Sequence, residues 1–179
     1  FFSFERAGIK PDMVTLSKSI GGGLPLSLLL MRPELDQWQP GEHTGTFRGN
    51  NLAFVAATQA LSYWDNEDLS HAVKYKGEIL QEELSRMVAK FPAFEASLRG
   101  TGMVWGIDFP QKGVASQISA EAFNRGLVIE LAGTQDQVLK FLPALTIEEE
   151  ILREGLQIVE ESIQAVLDGR GRTVTGAAA

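Results

Sequence analysis

One lysine lies where a side-chain amine could react. Lys18 directly follows segment 12–17, which predicts a short buried strand, and three glycines occupy positions 21–23. Ligands of α/β sheets bind at the carboxyl ends of strands, and glycine lets the backbone approach a ligand closely. A lysine held there loses hydration, and its uncharged amine can attack a carbonyl carbon to form an imine. Most lysines are solvated surface residues, so residues 12–23 alone do not exclude that Lys18 is an ordinary surface lysine.

A polar loop further along the chain has the groups that bind anions. Residues 43–50 include two threonines, a histidine, an arginine and two glycines. Hydroxyls, a guanidinium and backbone N–H groups left accessible by glycine suit a phosphate or a carboxylate. Loops of this composition are often only structural, so the loop alone does not identify a site.

Strands alternate with helices, which predicts an α/β or α+β fold. The first part predicts a second buried strand at 26–31 and a mostly buried helix at 52–64. A long amphipathic helix is predicted from Asp68 to Pro92. The remaining elements predicted are strands at 94–99, 103–109, 127–131 and 138–142 and a helix at 115–125. Thr146 is predicted to cap a last helix, with Glu149 completing a capping box.

A change of composition at residues 65–68 predicts a domain boundary. On this interpretation residues 1–67 are the end of one domain and residues 68–170 form a second, smaller one. Residues 171–179 are predicted to be a flexible tail.

The composition excludes several classes of function. The chain of 179 residues has 16 basic and 23 acidic side chains, spread without a basic block, which argues against a nucleic-acid partner. The apolar run at 24–31 is far too short to span a membrane. With no cysteine and two histidines, neither a disulfide nor a metal centre is expected. A cytoplasmic location is compatible with this composition and is our expectation.

Five phrases together resemble the class III aminotransferases, which depend on pyridoxal 5′-phosphate and have the fold-type I architecture. They lie, in the family's order, at 8–18, 21–25, 45–53, 99–103 and 141–147. Because they extend over nearly the whole chain, the match is specific, whereas a lone Ser-Lys pair would be weak. The resemblance implies an α/β fold made of the C-terminal part of the large cofactor-binding domain and a small C-terminal α/β domain.

The resemblance also implies roles for four residues. Lys18 matches the catalytic lysine that binds pyridoxal phosphate covalently and moves protons. Thr46 matches a threonine that reaches the cofactor phosphate of the neighbouring subunit, which implies a homodimer or a higher homo-oligomer. Arg48 replaces a glycine of the usual phrase, and a carboxylate contact and an ion pair at the dimer interface are equal alternatives. Lys140 stands where many members place an arginine that holds the substrate carboxylate, with a solvated lysine as the equal alternative.

Three further polar residues are expected to have structural roles. Arg99 is expected to organise the turn at 100–102, with a substrate contact as the less favoured alternative. His43 is expected to orient the polar loop rather than to act in catalysis. His71 lies in a charged helix and is expected to be solvated.

Within the family, the phrases at 1–8, 40–43, 46–51 and 126–130 are most similar to one branch. That branch moves the terminal amino group between L-2,4-diaminobutyrate and 2-oxoglutarate in ectoine biosynthesis. Members acting on siderophore diaminobutyrate, ornithine or 4-aminobutyrate are alternatives, as is an inactive fragment serving as a binding or oligomerisation module. The family's other cofactor-binding residues lie upstream of Phe1, so the chain alone is expected to be inactive, with exposed apolar surface.

Overall fold

The computed structural model describes residues 1–46 and 48–169 and divides into two compact units. Unit 1 is Phe1–Asp68, and unit 2 begins at Leu69. The assignment of these parts to two domains of a larger enzyme stays a prediction, and the predicted tail at 171–179 lies outside the described residues. Within the described part of the chain, none of the helices has the length and apolar character needed to cross a membrane.

Unit 1 consists of a two-stranded sheet and one helix, joined by turns. Strand β1 (Met13–Leu16) pairs antiparallel with β2 (Leu28–Met31). Helix α1 covers Asn51–Ser62, and the side chain of Asn50 caps it by accepting hydrogen bonds from the backbone N–H groups of the first turn. This cap starts α1 directly after the polar loop.

Burial in unit 1 differs from the sequence prediction. The strands at 12–17 and 26–31 and the helix at 52–64 are predicted to be buried, and for the described chain this is wrong. The buried residues of α1 are Ala53 and Ala57, whereas Leu52 is 72% exposed. A two-stranded sheet with one helix has too little surface to cover apolar residues on all sides. Exposed apolar surface is the expectation for the chain on its own, and β2 shows it, because Leu29 and Leu30 are solvent-exposed.

Unit 2 is a four-stranded antiparallel sheet packed against helices. The order of strands is β3-β4-β6-β5, so β6 lies between two strands that precede it in the chain. The strands are β3 (Ser97–Thr101), β4 (Val104–Asp108), β5 (Glu130–Ala132) and β6 (Val138–Phe141). The helices are α2 (Asp68–Lys90), α3 (Val114–Asn124) and α4 (Glu149–Leu167).

The core of unit 2 forms on one face of this sheet. Alternate residues of a strand point to the same face, and the buried ones in the two central strands are Trp105, Ile107, Leu139 and Phe141. They belong to one cluster with the apolar stripes of the helices, among them Leu80, Leu84, Leu156 and Val159. The predicted stripe of the last helix is confirmed except at Leu167, which is 42% exposed.

The start of α4 differs from the predicted capping box. Glu148, not Thr146, is the N-cap residue, and it makes no side-chain capping bond. The preceding residues instead form a turn in which the backbone N–H of Ile147 donates to the carbonyl oxygen of Ala144. The Lys76 ammonium of α2 also donates to the Leu145 and Ile147 carbonyl oxygens, so this segment is held as a turn and the helix begins later.

Candidate active site

Lys18 lies directly after β1 in an uncommon backbone conformation. Its φ is 59°, in the left-handed region, and it begins a short 3-10 turn, Lys18–Gly21. A residue other than glycine seldom adopts this conformation, and residues held in it cluster at functional sites. Next to it, the Ser17 hydroxyl donates to the carbonyl oxygen of Leu26, which ties the end of β1 to the segment before β2.

Glycine at position 22 lets this turn pack closely against α1. Gly22 has φ 59°, and a Cβ placed there would lie 2.6 Å from the backbone oxygen of Ala56. A side chain at position 22 would therefore push the turn away from the helix. The capped helix α1 and the glycine turn together fix the backbone that carries Lys18.

The Lys18 side chain is exposed in the described chain. The predicted loss of hydration is therefore wrong here, because α1 and the two short strands leave the amine accessible. Among the described residues, no side chain forms a hydrogen bond or an ion pair with the Lys18 ammonium. Its amine is thus available to a ligand.

The polar loop at 43–50 is held in shape by hydrogen bonds between its own residues. The Arg48 guanidinium donates to the carbonyl oxygen of His43, and the Arg48 backbone N–H donates to that of Gly45 at 3.2 Å. The His43 ring stacks on Trp38 with ring centroids 4.7 Å apart, in agreement with the expectation that it orients the loop. Arg48 therefore has a role that the sequence did not predict, and its carboxylate and interface roles stay predictions.

Thr46 is exposed in this loop, so its hydroxyl is accessible. Lys18, Thr46 and Arg48 all belong to unit 1. Phe47, between the last two, lies outside the described residues.

Lys140 belongs to unit 2, where it forms an ion pair within the sheet. Its ammonium lies 2.7 Å from a carboxylate oxygen of Glu130, its cross-strand neighbour. The hydrogen bond from Lys140 holds the pKa of the Glu130 carboxyl below its ordinary value. Lys140 is thus a partly exposed, paired lysine, and its contact with a substrate stays a prediction.

Arg99 does not organise the turn at 100–102, so that prediction is wrong. Its side chain is exposed, and within the described part of the chain it has no hydrogen-bond or ion-pair partner. The Trp105 indole N–H instead donates to the carbonyl oxygen of Gly102 at 2.8 Å and braces this turn. The expected exposure of His71 is confirmed.

Lys76 is a residue whose importance the sequence analysis missed. Its side chain is 7% exposed, and its ammonium lies 2.6 Å from the carbonyl oxygen of Leu145 and 3.0 Å from that of Ile147. The signal was present, because Lys76 lies three residues after Val73 and four before Leu80, within the apolar stripe of α2. A lysine on an apolar stripe needs buried acceptors.

Comparison with known proteins identifies the family. The family model described as aminotransferase class III matches residues 1–163. The chain belongs to the class III aminotransferases. This family depends on pyridoxal phosphate, and the sequence-based recognition of it is confirmed.

Two similar curated relatives carry the same name. The diaminobutyrate–2-oxoglutarate transaminases of Wolinella succinogenes and Oceanobacillus iheyensis are 61% and 55% identical to this chain over 170 and 169 residues. These matches cover 95% and 94% of the chain but only 40% of each relative. The chain therefore spans well under half the length of the curated relatives that it matches.

Solved structures confirm the fold. The N-acetylornithine aminotransferase of Stenotrophomonas maltophilia is 31% identical, with a TM-score of 0.79, over 94% of this chain and 44% of that one. The acetylornithine aminotransferase of Elizabethkingia anophelis is 27% identical, with a TM-score of 0.79, over 89% of this chain and 42% of that one. The predicted α/β fold of fold-type I is confirmed.

Proposed function

We propose that the protein containing this chain moves the terminal amino group between L-2,4-diaminobutyrate and 2-oxoglutarate with pyridoxal phosphate, as in ectoine biosynthesis. The observation that carries the proposal is Lys18, which presents an accessible amine from a left-handed backbone position, beside a glycine turn packed against α1. The substrate pair is that named for the relatives in Wolinella and Oceanobacillus.

The residues of unit 1 fit this cofactor. Lys18 supplies a primary amine that can bind the cofactor's carbonyl carbon, and the exposed Thr46 supplies a hydroxyl for its phosphate. Pyridoxal phosphate, when bound, withdraws electrons from the carbon that bears the transferred amine. With Thr46 serving a neighbouring subunit, the active enzyme is a homodimer or a larger homo-oligomer.

The chain's own residues would then act in two steps, substrate binding and proton transfer. The Lys18 amine moves a proton from and to the substrate carbon that carries the reacting amine. Lys140 attracts a substrate carboxylate as a point charge. Arg48 keeps the loop that carries Thr46 in shape through its bond to the His43 carbonyl oxygen. The cytoplasm is the location that we propose for the enzyme.

Replacing Lys18 tests the proposal directly. In the full-length enzyme, Lys18→Ala should abolish the visible absorption of the lysine-bound cofactor and lower turnover by at least about a thousandfold, because the proton-transfer group is lost. Lys10→Ala, another exposed lysine of unit 1, is the matched control and should leave both unchanged. Normal turnover in Lys18→Ala would show that the assignment is wrong.

Mixing two inactive variants tests the role of Thr46 across subunits. If Thr46 serves the neighbouring active site, a hybrid of Lys18→Ala and Thr46→Ala subunits contains one intact site. Random mixing should then restore about a quarter of the sites of the unmodified dimer. No recovery in a mixture shown to contain hybrids would contradict the shared site.

Amine-donor profiling separates the remaining candidates. Transfer from 2,4-diaminobutyrate should exceed transfer from ornithine and from 4-aminobutyrate. A preference for either of the latter would assign the enzyme to another branch of the family. Full-length protein without transfer from any donor would favour a binding or oligomerisation module.

A further inference from the structure

The backbone of unit 1 turns sharply between Ser17 and Lys18. Ser17 is extended, with φ −157°, whereas Lys18 has φ 59° and begins the turn Lys18–Gly21. A left-handed conformation is unfavourable for a residue with a Cβ, so it persists only where neighbouring contacts hold the backbone in it. The contacts that hold Lys18 therefore determine the direction in which its side chain leaves the backbone.

Leu26 is the residue that Lys18 would face if the sheet continued. The antiparallel ladder of β1 and β2 ends at the pair formed by Leu16 and Leu28. Continuing the same register would bring Lys18 opposite Leu26, but the left-handed turn interrupts it. The Ser17 hydroxyl instead donates to the Leu26 carbonyl oxygen at 3.3 Å. A side chain thus links the two segments just beyond the last backbone pair.

Gly21 contacts Leu26 from a second side. A Cβ placed on Gly21 would lie 3.2 Å from Cβ of Leu26 and 3.3 Å from its backbone nitrogen, so the two residues are close neighbours. Gly21 is buried, and its carbonyl oxygen accepts a hydrogen bond from the Leu24 N–H at 3.1 Å. Leu26 therefore holds both ends of the turn, through the Ser17 hydroxyl at the start and through Gly21 at the end.

The Ser17 hydroxyl is the contact that a single substitution can remove without altering the backbone. Ser17 lies at an exposed position, whereas Gly21 contributes only backbone atoms. The net contribution of one ordinary hydrogen bond changes an equilibrium by about fivefold. A left-handed residue is disfavoured by a factor of roughly this order. Loss of this one bond is therefore enough to change how often Lys18 keeps its conformation.

We infer that Ser17 is a positioning residue of the transamination reaction, because it keeps Lys18 in the left-handed conformation. This role rests on the proposed function, in which the Lys18 amine reaches both the cofactor and the reacting substrate carbon. A rotation about the Lys18 backbone moves the whole side chain, whereas proton transfer requires the amine within hydrogen-bond reach. Because Ser17 acts through Lys18, its loss should lower kcat and leave KM nearly unchanged.

Two substitutions of equal shape separate the hydroxyl from the size of the side chain. Ser17→Thr keeps the hydroxyl and Ser17→Val replaces it with a methyl group, and both β-branched residues suit the extended backbone there. Ser27→Ala is the matched control, because Ser27 is exposed and its hydroxyl makes no hydrogen bond among the described residues. The variants are made in the full-length enzyme, and these exposed positions predict that all three fold.

The first measurement requires neither cofactor nor turnover. The Gly22 and Leu24 N–H groups donate within the turn at 3.1 Å, so hydrogen exchange of peptides that span it reports its opening. In the cofactor-free protein, Ser17→Val should exchange about fivefold faster there. Ser17→Thr and Ser27→Ala should exchange at the unmodified rate. Equal exchange in Ser17→Val and Ser17→Thr would overturn the inferred role.

The second measurement follows the bound cofactor and the reaction. In Ser17→Val, kcat with 2,4-diaminobutyrate should fall about fivefold, and KM should change by less than about twofold. The visible circular dichroism of the lysine-bound cofactor should also weaken, and Ser17→Thr should restore both signals. A lower kcat without faster exchange in the cofactor-free protein would mean that the hydroxyl acts on the cofactor directly, which would also overturn the role.

Failure of this role and failure of the proposed function give different results. If exchange and circular dichroism follow the hydroxyl but the unmodified enzyme does not transfer from diaminobutyrate, Ser17 positions Lys18 and the proposed substrate is wrong. If the enzyme transfers from diaminobutyrate but Ser17→Thr and Ser17→Val behave alike, the proposed function stands and Ser17 is not a positioning residue.

Discussion

The two units of this chain differ in function and in packing: one carries the candidate catalytic lysine, and the other carries the large hydrophobic core. Unit 1 carries Lys18, yet among its described residues the apolar side chains that are buried are the small ones of Ala53 and Ala57. Unit 2 buries a continuous cluster that includes Trp105, Phe109 and Leu139. The reactive amine therefore belongs to the unit that buries little apolar surface of its own.

The largest expected effect is a difference in local stability between the units. In hydrogen exchange of the 179-residue chain, core amides of unit 2 should open only at a cost of about 5 kcal/mol, whereas those of unit 1 should open below about 2 kcal/mol. The exposed Leu29 and Leu30 of β2 should also make the isolated chain aggregate. A monodisperse chain with equal protection in both units would contradict this contrast.

A pair of leucine truncations tests the same contrast at single residues. Leu139→Ala removes a fully buried side chain from unit 2 and should lower the free energy of unfolding by about 3 kcal/mol. Leu52→Ala, at a 72% exposed position of unit 1, should change it by less than about 0.5 kcal/mol. Urea denaturation followed by circular dichroism measures both. Equal losses would mean that α1 packs against more than the described contacts show.

This contrast also marks the limit of what the sequence predicts. The alternation of Trp105 and Ile107 and the helical spacing of Leu152 and Leu156 report local geometry, and the buried faces of β4 and α4 lie as predicted, although α4 begins later than predicted. The apolar run at 26–31 predicts a strand equally well, but apolarity does not tell which surface covers it. Burial in unit 1 therefore could not be read from the sequence.

The candidate site also has features that the sequence predicts and features that it does not. The phrases around Lys18 and Thr46 carry the family resemblance, because their residue types and order are specific. The hydrogen bond from Arg48 to the His43 carbonyl oxygen has no signature in the sequence, because every residue has a backbone carbonyl group. The register that pairs β4 with β6, about 30 residues away in the chain, was equally hidden, because the sequence does not show which strands become neighbours.

Replacing Lys76 should show how much a polar contact contributes to the core of unit 2. Lys76→Met keeps an apolar stem of similar length but leaves the carbonyl oxygens of Leu145 and Ile147 without their donor. The expected loss is about 2 kcal/mol of unfolding free energy. Lys74→Met, on the exposed side of the same helix, is the matched control and should be neutral. A neutral Lys76→Met would mean that the gain in apolar contact offsets the lost hydrogen bonds.

The smallest effect concerns the ion pairs between α2 and α4. Hydrogen bonds from Arg86 and then Lys90 lower the pKa of Glu160 from its usual 4.5 to about 2. Because the folded-state pKa is the lower one, the stabilisation is present above pH 4.5 and is lost as the pH falls toward 2. Arg86 and Lys90 are about half exposed, so the loss between pH 6 and pH 3 should be only about 1 kcal/mol.

Unfolding of Glu160→Gln at both pH values isolates this contribution. The variant should lack the part of the acid sensitivity that Glu160 supplies, so the difference between it and the unmodified chain should shrink between pH 6 and pH 3. Glu150→Gln, at an exposed position of α4, should retain the full pH dependence. Arg86, Lys90 and Glu160 all belong to unit 2, so the loss of this contribution in acid should weaken unit 2. An unchanged pH dependence in Glu160→Gln would mean that solvent screens this pair completely.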